Sequence, residues 1–122
     1  MSSLGLTSFG FDFGSDKKCI RINLANNINN AIMKIDGIKD RNVLVINLSN
    51  NNLKSLSGLT TCVNLKFLNL SSNHLDSLAG INNLKKLDEL YLSYNILRRI
   101  REINNLQRLR ILDCSYNKLL DA

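Results

Sequence analysis

The sequence predicts an α/β repeat solenoid, with a short parallel β-sheet on its concave face and 3₁₀ or irregular return arms on its convex face. Three observations predict it. Leucine and asparagine are in excess, at 23 and 19 of 122 residues, a bias that points to internal repetition. One motif recurs in steps of 22 residues from Val43. Within each step the apolar spacing changes from two to three, so each step holds two kinds of backbone.

The segments starting at Val43, Leu65, Leu87 and Leu109 read VLVINLSNNNL, LKFLNLSSNHL, LDELYLSYNIL and LRILDCSYNKL. Each fits L-x-x-L-x-L-x-x-N-x-L, with Val43, Ile46 and Cys114 as apolar variants. The L-x-L portion alternates as a strand does, sending successive side chains to opposite faces. The portion that follows spaces its apolar residues by three: Leu53, Leu56, Leu59, Cys62 and Leu65, then Leu75, Leu78, Ile81, Leu84 and Leu87, then Leu97, Ile100, Ile103, Leu106 and Leu109. A spacing of three sustained this long suits 3₁₀ turns, because an α-helical stripe alternates threes and fours. One unit cannot cover its own apolar side. Successive units must therefore stack and share a core.

This pattern resembles the leucine-rich repeat superfamily, and a leucine-rich repeat arc is the fold the resemblance implies. The 22-residue length and the L-x-x-I/L-x-x-L return arm look like the subclass found in a regulatory subunit of type 1 protein phosphatase. Similar repeats occur in a dynein light chain of cilia, a spliceosomal protein and bacterial internalins. The resemblance covers residues 43–122 closely and 19–42 loosely. It speaks for architecture more than for activity, because these proteins share a fold and not a chemistry.

The regular coils are 43–64, 65–86 and 87–108, followed by an incomplete coil at 109–122. Upstream, Cys19, Ile22, Leu24 and Asn27 repeat the motif in phase, and Ile35-Asp36-Gly37-Ile38 mirrors Leu56-Ser57-Gly58-Leu59. An irregular first coil at 19–42 results, with its extra residues near 29–31. Residues 1–18, where Phe9, Phe11 and Phe13 alternate, stand outside the pattern as a flexible or capping segment or a short motif for a partner. The coil at 109–122 has a strand and a turn without a return arm. Its open end is expected to self-associate or to be covered by a further repeat.

Asn27, Asn51, Asn73, Asn95 and Asn117 occupy the turn after each strand. An amide offers two donors and an acceptor on a short stem, so it can satisfy turn backbone in its own and the adjoining coil. Cys19, Cys62 and Cys114 fall at apolar motif positions, where free cysteine behaves as a small hydrophobe. With no Cys-x-x-Cys and no paired cap motif, reduced thiols and an intracellular setting are expected: cytoplasmic or, from the resemblance, nuclear or ciliary. The sequons Asn47-Leu48-Ser49 and Asn69-Leu70-Ser71 arise from the repeat itself.

Several functions are disfavoured. No apolar run approaches the roughly 20 residues that cross a bilayer, and the first residues lack the layout of a secretory signal. His74 has no second ligand at metal spacing. A phosphate loop, a nucleophile elbow and a His-Glu pair are all missing from the sequence, so we expect no enzyme, cofactor or metal.

Strand periodicity also sorts the concave surface into columns. The first is Arg21, Val45, Phe67, Glu89, Ile111, and the second is Asn23, Asn47, Asn69, Tyr91, Asp113. The third is Ala25, Ser49, Ser71, Ser93, Ser115, and the fourth is Asn26, Asn50, Ser72, Tyr94, Tyr116. All three tyrosines of the chain lie here. Aromatic residues gathered beside a few charges have the composition of interface hot spots, which nominates Phe67, Glu89, Tyr91, Tyr94, Ile111, Asp113 and Tyr116 as a protein-binding surface with a near-continuous aromatic strip. The alternative rests on the net charge of +6. Arg98, Arg99, Arg101, Arg108 and Arg110 crowd one stretch with Glu102, and a ribonucleoprotein component would use that convex arm on nucleic acid. The function expected is a non-enzymatic protein-protein interaction module. The resemblance suggests a phosphatase regulator or a ciliary or cytoskeletal scaffold as its context.

Overall fold

Short strands, one per coil, stack in parallel. The computed structural model describes residues 8–9, 20–23, 25–26, 34–35, 43–56 and 59–120. Its strands are β1 (Ser8–Phe9), β2 (Ile20–Asn23), β3 (Lys34–Ile35), β4 (Val43–Asn47), β5 (Phe67–Asn69), β6 (Glu89–Tyr91) and β7 (Ile111–Asp113). A five-stranded parallel sheet runs β2-β4-β5-β6-β7. Its register aligns Arg21, Val45, Phe67, Glu89 and Ile111, and likewise Asn23, Asn47, Asn69, Tyr91 and Asp113. These are the first two columns read from the sequence. The register shifts between Ile20 and Arg21, as suits an irregular first coil. β1 pairs in parallel with β3, a contact the sequence does not signal, since Ile35 reads there as part of a return arm. The boundary at residues 18–19, Phe11, Phe13, Cys19, Asn27 and the insertion near 29–31 lie outside the described residues. Among the described residues no helix is long and apolar enough to cross a membrane.

The return arms follow their spacing of three. Leu59 N–H bonds to the Leu56 carbonyl, Cys62 to Leu59 and Leu65 to Cys62, each at 3.0 Å. The same chain of bonds links Leu78, Ile81, Leu84 and Leu87, and then Ile100, Ile103, Leu106 and Leu109. From Leu59, Ile81 and Ile103 onward each apolar residue of the arm thus donates to the one three before it, which is the 3₁₀ pattern. Regular 3₁₀ helix forms at Ile81–Asn83 and Arg101–Asn105. Because side chains at i and i+3 eclipse in this geometry, each arm presents one apolar edge to the strands. That edge and the strand leucines make the core, with Leu48, Leu53, Leu68, Leu70, Leu75, Leu90 and Leu92 wholly buried. Burying a leucine fully is worth roughly 1.5–3 kcal/mol. Cys62 is wholly buried inside this core, and Cys114 is free and half-buried. Cys114 departs from the expected full burial because it follows β7, the edge strand of the sheet.

The turn asparagines join the coils. Asn73 Nδ2 donates to the Leu70 and Ser71 carbonyls of its own coil at 2.9 and 3.2 Å, and to Leu48 O of the preceding coil at 3.0 Å. Its Oδ1 accepts the Leu53 N–H at 3.0 Å. Asn95 repeats the set with Leu92, Ser93, Leu70 and Leu75, and Asn117 with Cys114, Ser115, Leu92 and Leu97. Asn51 donates to Leu48 and Ser49. His74, next to Asn73, is exposed and shares a 2.8 Å hydrogen bond with Asn52.

Two stability predictions follow from this geometry. Asn73→Leu should cost about 3 kcal/mol, because it leaves buried backbone groups of two coils without partners; His74→Ala should change stability by less than about 0.5 kcal/mol. Chemical denaturation of the two variants compares them directly. Gly80 opens the Ile81–Asn83 helix at φ 94°, and a Cβ there would stand 2.6 Å from Thr60 Cγ2. Gly80→Ala should therefore destabilise by about 1–2 kcal/mol. Thr60→Ser in that background removes the clashing methyl and should recover part of the loss.

Candidate functional site

The left-handed backbone of one column shapes the candidate surface. Asn26, Asn50, Ser72, Tyr94 and Tyr116 have φ values of 63°, 58°, 58°, 58° and 55°. In each coil the chain bends away from the strand at this residue. The bend aims the N–H of Asn26, Asn50, Ser72 and Tyr94 at the carbonyl of Ser49, Ser71, Ser93 and Ser115 in the next coil. This continues the interstrand ladder past the strand ends. Asparagine and serine are short and polar, and asparagine visits this region readily; a bulky side chain there is an outlier. The tyrosines nevertheless occupy it. Their rings stack with centroids 4.4 Å apart and planes within 4°, and they remain 54% and 69% exposed.

A second aromatic pair lies on the sheet itself. Phe67 and Tyr91 meet at 5.4 Å with a 44° tilt, both half-buried. Within the near-continuous strip expected from the columns, the rings thus meet as two pairs, Phe67 with Tyr91 and Tyr94 with Tyr116. The reason is the left-handed bend, which carries Tyr94 and Tyr116 off the pleat and into the turns. Ile111 stands exposed on β7, beside half-buried Glu89 on β6. Glu89 Oε1 accepts the Tyr91 hydroxyl at 2.7 Å. That bond, helped by partial desolvation and by the charges of Glu89 and Asp113, raises the Tyr91 phenol above its ordinary pKa. Partial desolvation, with Tyr116 and Asp113 nearby, raises Tyr94 as well.

Asp113 has a structural task that the column reading missed. Its Oδ1 accepts the Ser115 N–H at 3.1 Å and the Ser115 hydroxyl at 2.7 Å. Asn23, Asn47 and Asn69 accept the N–H two residues ahead in the same way. The signal was the recurring Asn-x-Ser, a side chain that mimics a turn by bonding backbone two residues on. Bonds from the Ser115 hydroxyl and N–H hold the Asp113 carboxyl below its ordinary range. In the same column Tyr91 has no acceptor on a short stem and turns its hydroxyl to Glu89 instead.

The basic stretch divides. Arg110 lies against Asp88 in a two-pronged ion pair, with Nη2 at 2.8 Å from Oδ2. The Arg110 hydrogen bond lowers the Asp88 pKa. Arg98, Arg99 and Arg101 line a groove of about 610 Å³ with Ile100, Ile103, Asn104, Leu119 and Leu120, and Arg108 lines another with Lys85 and Lys86. Among the described residues no group of three or more histidine, cysteine, aspartate or glutamate side chains is placed to hold a metal.

The family profile described as leucine-rich repeats, two copies, matches residues 41–84, a span that includes β4 and β5. The chain has the leucine-rich repeat solenoid fold. Solved structures with the same fold include an internalin (inlF) from Listeria monocytogenes str. 4b F2365, at TM-score 0.68 and 22% identity over 84% of this chain and 30% of that one. Internalin C2 (inlC2) of the same strain gives 0.61 and 18%, over 86% and 62%. The leucine-rich repeat domain of APL1B gives 0.67 and 23%, over 92% and 32%. This chain thus spans less than two thirds of each. No curated protein matches it in sequence. Leucine-rich repeat solenoids generally serve protein-protein interaction through the extended surface that stacking creates.

A substitution separates the structural task of Asp113 from its charge. Asp113→Asn keeps the acceptor that bonds Ser115, so the denaturation midpoint at pH 7 should stay within a small shift of the parent, whereas Asp113→Leu should lower it. A carboxyl with a depressed folded pKa stabilises above its unfolded value, ordinarily 3.8, and loses that contribution as pH falls through the folded value. Asp113→Asn should therefore flatten the acid limb of the stability profile below about pH 4.

Proposed function

We propose that this solenoid is a non-enzymatic module that holds a protein partner on the sheet face of its C-terminal half, against Phe67, Glu89, Tyr91, Tyr94, Ile111, Asp113 and Tyr116. One observation carries the reading: Tyr94 and Tyr116 accept left-handed backbone where asparagine and serine serve the other coils, and they leave most of their ring surface in solvent. Stability alone favours the smaller residues at this position. Backbone strain kept under exposed aromatics points to use of the rings, and tyrosine is enriched among residues that dominate binding energy. A reducing, intracellular setting belongs to the same proposal, supported by a wholly buried Cys62 filling a leucine position of the core and by the lack of any Cys-x-x-Cys in the sequence. Phosphatase regulation and ciliary or cytoskeletal scaffolding enter only as contexts suggested by the repeat length.

A second reading places nucleic acid on Arg98, Arg99 and Arg101, which line one groove with apolar Leu119 and Leu120 beside them. Salt separates the two. Phosphate contacts lose affinity steeply as ionic strength rises, and an aromatic-centred protein interface changes far less.

Affinity capture from native lysate should be run with the parent chain, Tyr94→Asn with Tyr116→Asn, and Arg98→Ala with Arg99→Ala. The tyrosine variant keeps residues already found at this turn and should fold with undiminished stability, yet bind the captured protein more than about 20-fold more weakly. The arginine variant should alter affinity only slightly at physiological salt. A dominant arginine effect would transfer the function to the convex arm.

A further inference from the structure

The candidate face is acidic and aromatic on a chain that is basic. The net charge is +6, yet across β5, β6 and β7 the charged residues in the four columns are Glu89 and Asp113. The cation in those columns is Arg21, on β2 at the far end of the sheet. Arg110, whose field reaches Glu89, is already matched by both oxygens of Asp88.

Each carboxylate keeps a free oxygen. Glu89 commits Oε1 to the Tyr91 hydroxyl, and Asp113 commits Oδ1 to Ser115; Oε2 and Oδ2 have no partner among the described residues. Tyr91 and Asp113 are register partners, about 4.8 Å apart along the sheet. The charge of Asp113 is also felt at Tyr94. The Asp113 charge thus acts on both the ring on the sheet and the stacked pair in the turns, and Ser72 leaves only a hydroxymethyl group in that column one coil earlier.

The chemistry selects an occupant. Ring faces carry negative quadrupole charge and attract cations lying over them. A phosphate or an acidic peptide would meet repulsion from rings and carboxylates alike. A neutral apolar segment would bury the free oxygens without a partner, which is costly. A planar guanidinium satisfies both features, because it stacks on an aromatic face while its N–H groups bond a carboxylate.

We propose that this patch receives an arginine-bearing, basic segment of a partner protein, with a guanidinium over an outer face of the Tyr94–Tyr116 stack and its N–H groups on the free oxygens of Asp113 and Glu89. The proposal rests on the sheet face being the interaction surface and names the chemistry of what binds there. It also explains why the strain is borne by tyrosine: an electron-rich ring beside two carboxylates is a cation receptor, which asparagine at the same turn is not.

The chain has no tryptophan and three tyrosines, all in this patch, so the tyrosine emission of the full chain reports on its occupancy. The probes are Gly-Ser peptides carrying three arginines, three lysines, three glutamates or no charge. The arginine peptide should bind saturably, the lysine peptide more weakly, and the other two not at all at the same concentrations. Asp113→Asn with Glu89→Gln should weaken the arginine peptide at least tenfold while the turn bond at Ser115 survives. Tyr94→Asn with Tyr116→Asn, followed by calorimetry, should do the same, and Arg98→Ala with Arg99→Ala should have no effect.

Equal binding of the glutamate peptide, or undiminished binding after the carboxylates are neutralised, overturns the proposal. If the captured partner still depends on Tyr94 and Tyr116 in that case, the docking face stands and only its cationic ligand is wrong. If the tyrosines matter to neither the peptide nor the partner, both readings fail. A single-stranded RNA oligonucleotide bound through Arg98 and Arg99 in preference to every peptide also overturns both.

Discussion

The fold depends on one side-chain amide repeated once per coil. A parallel coil must turn sharply after its strand, and the turn leaves carbonyls pointing inward with no regular partner. Asn73, Asn95 and Asn117 answer this by spanning two coils at once, with Nδ2 shared among three carbonyls and Oδ1 taking an N–H from the coil before. Leucine burial supplies most of the favourable free energy, but leucines alone would permit neighbouring coils to slide. The amide fixes the stacking offset, and the offset fixes the register of β4 to β7. Everything displayed on the sheet inherits its alignment from that bond set.

Much of this was legible because the repeat states each rule several times. The spacing of three in the return arms translated directly into hydrogen bonds from each apolar residue to the one three before it, and the turn asparagines made the bonds that their donors and acceptors permit. The β1–β3 contact was not legible, since two residues in each strand leave no periodicity to read. The left-handed column was partly visible in Asn26, Asn50 and Ser72, residue types common at such bends. Tyr94 and Tyr116 disguised it, because no local preference puts tyrosine there. The Ser115 bond to Asp113 was overlooked for a related reason: a surface column was read for what it exposes, and that bond belongs to the turn.

The site illustrates how a regular scaffold carries irregular chemistry. Three of the five residues in the second column are asparagines that tie down their own turns, and Asp113 does the same work with an added charge. Tyr91 abandons that work and pairs with Phe67 and Glu89 instead. Departures from the repeat therefore collect on β6 and β7, where they change the surface and keep the strand leucines Leu90 and Leu112, with Cys114 in place of the next core leucine. The basic return arm, by contrast, shows a bound charge at Arg110 and solvated ones at Arg98 and Arg99, an arrangement that suits solubility as well as contact.

Stacking by equal steps also sets the order in which the molecule assembles. The principal bonds between coils join residues 20 to 25 apart in sequence, so each new coil closes a loop of nearly constant length onto a finished neighbour. The entropy lost at each closure is then similar wherever growth begins, and folding can start at any adjacent pair and spread in both directions. Opening should follow the same path backwards. The coil at β7, whose Leu109 and Leu112 are only partly buried, should exchange its amide protons first, and the wholly buried middle of the array last. Three of the seven residues proposed to meet a partner, Ile111, Asp113 and Tyr116, sit on that early-opening portion, so an occupant would slow the fraying of the segment that holds them.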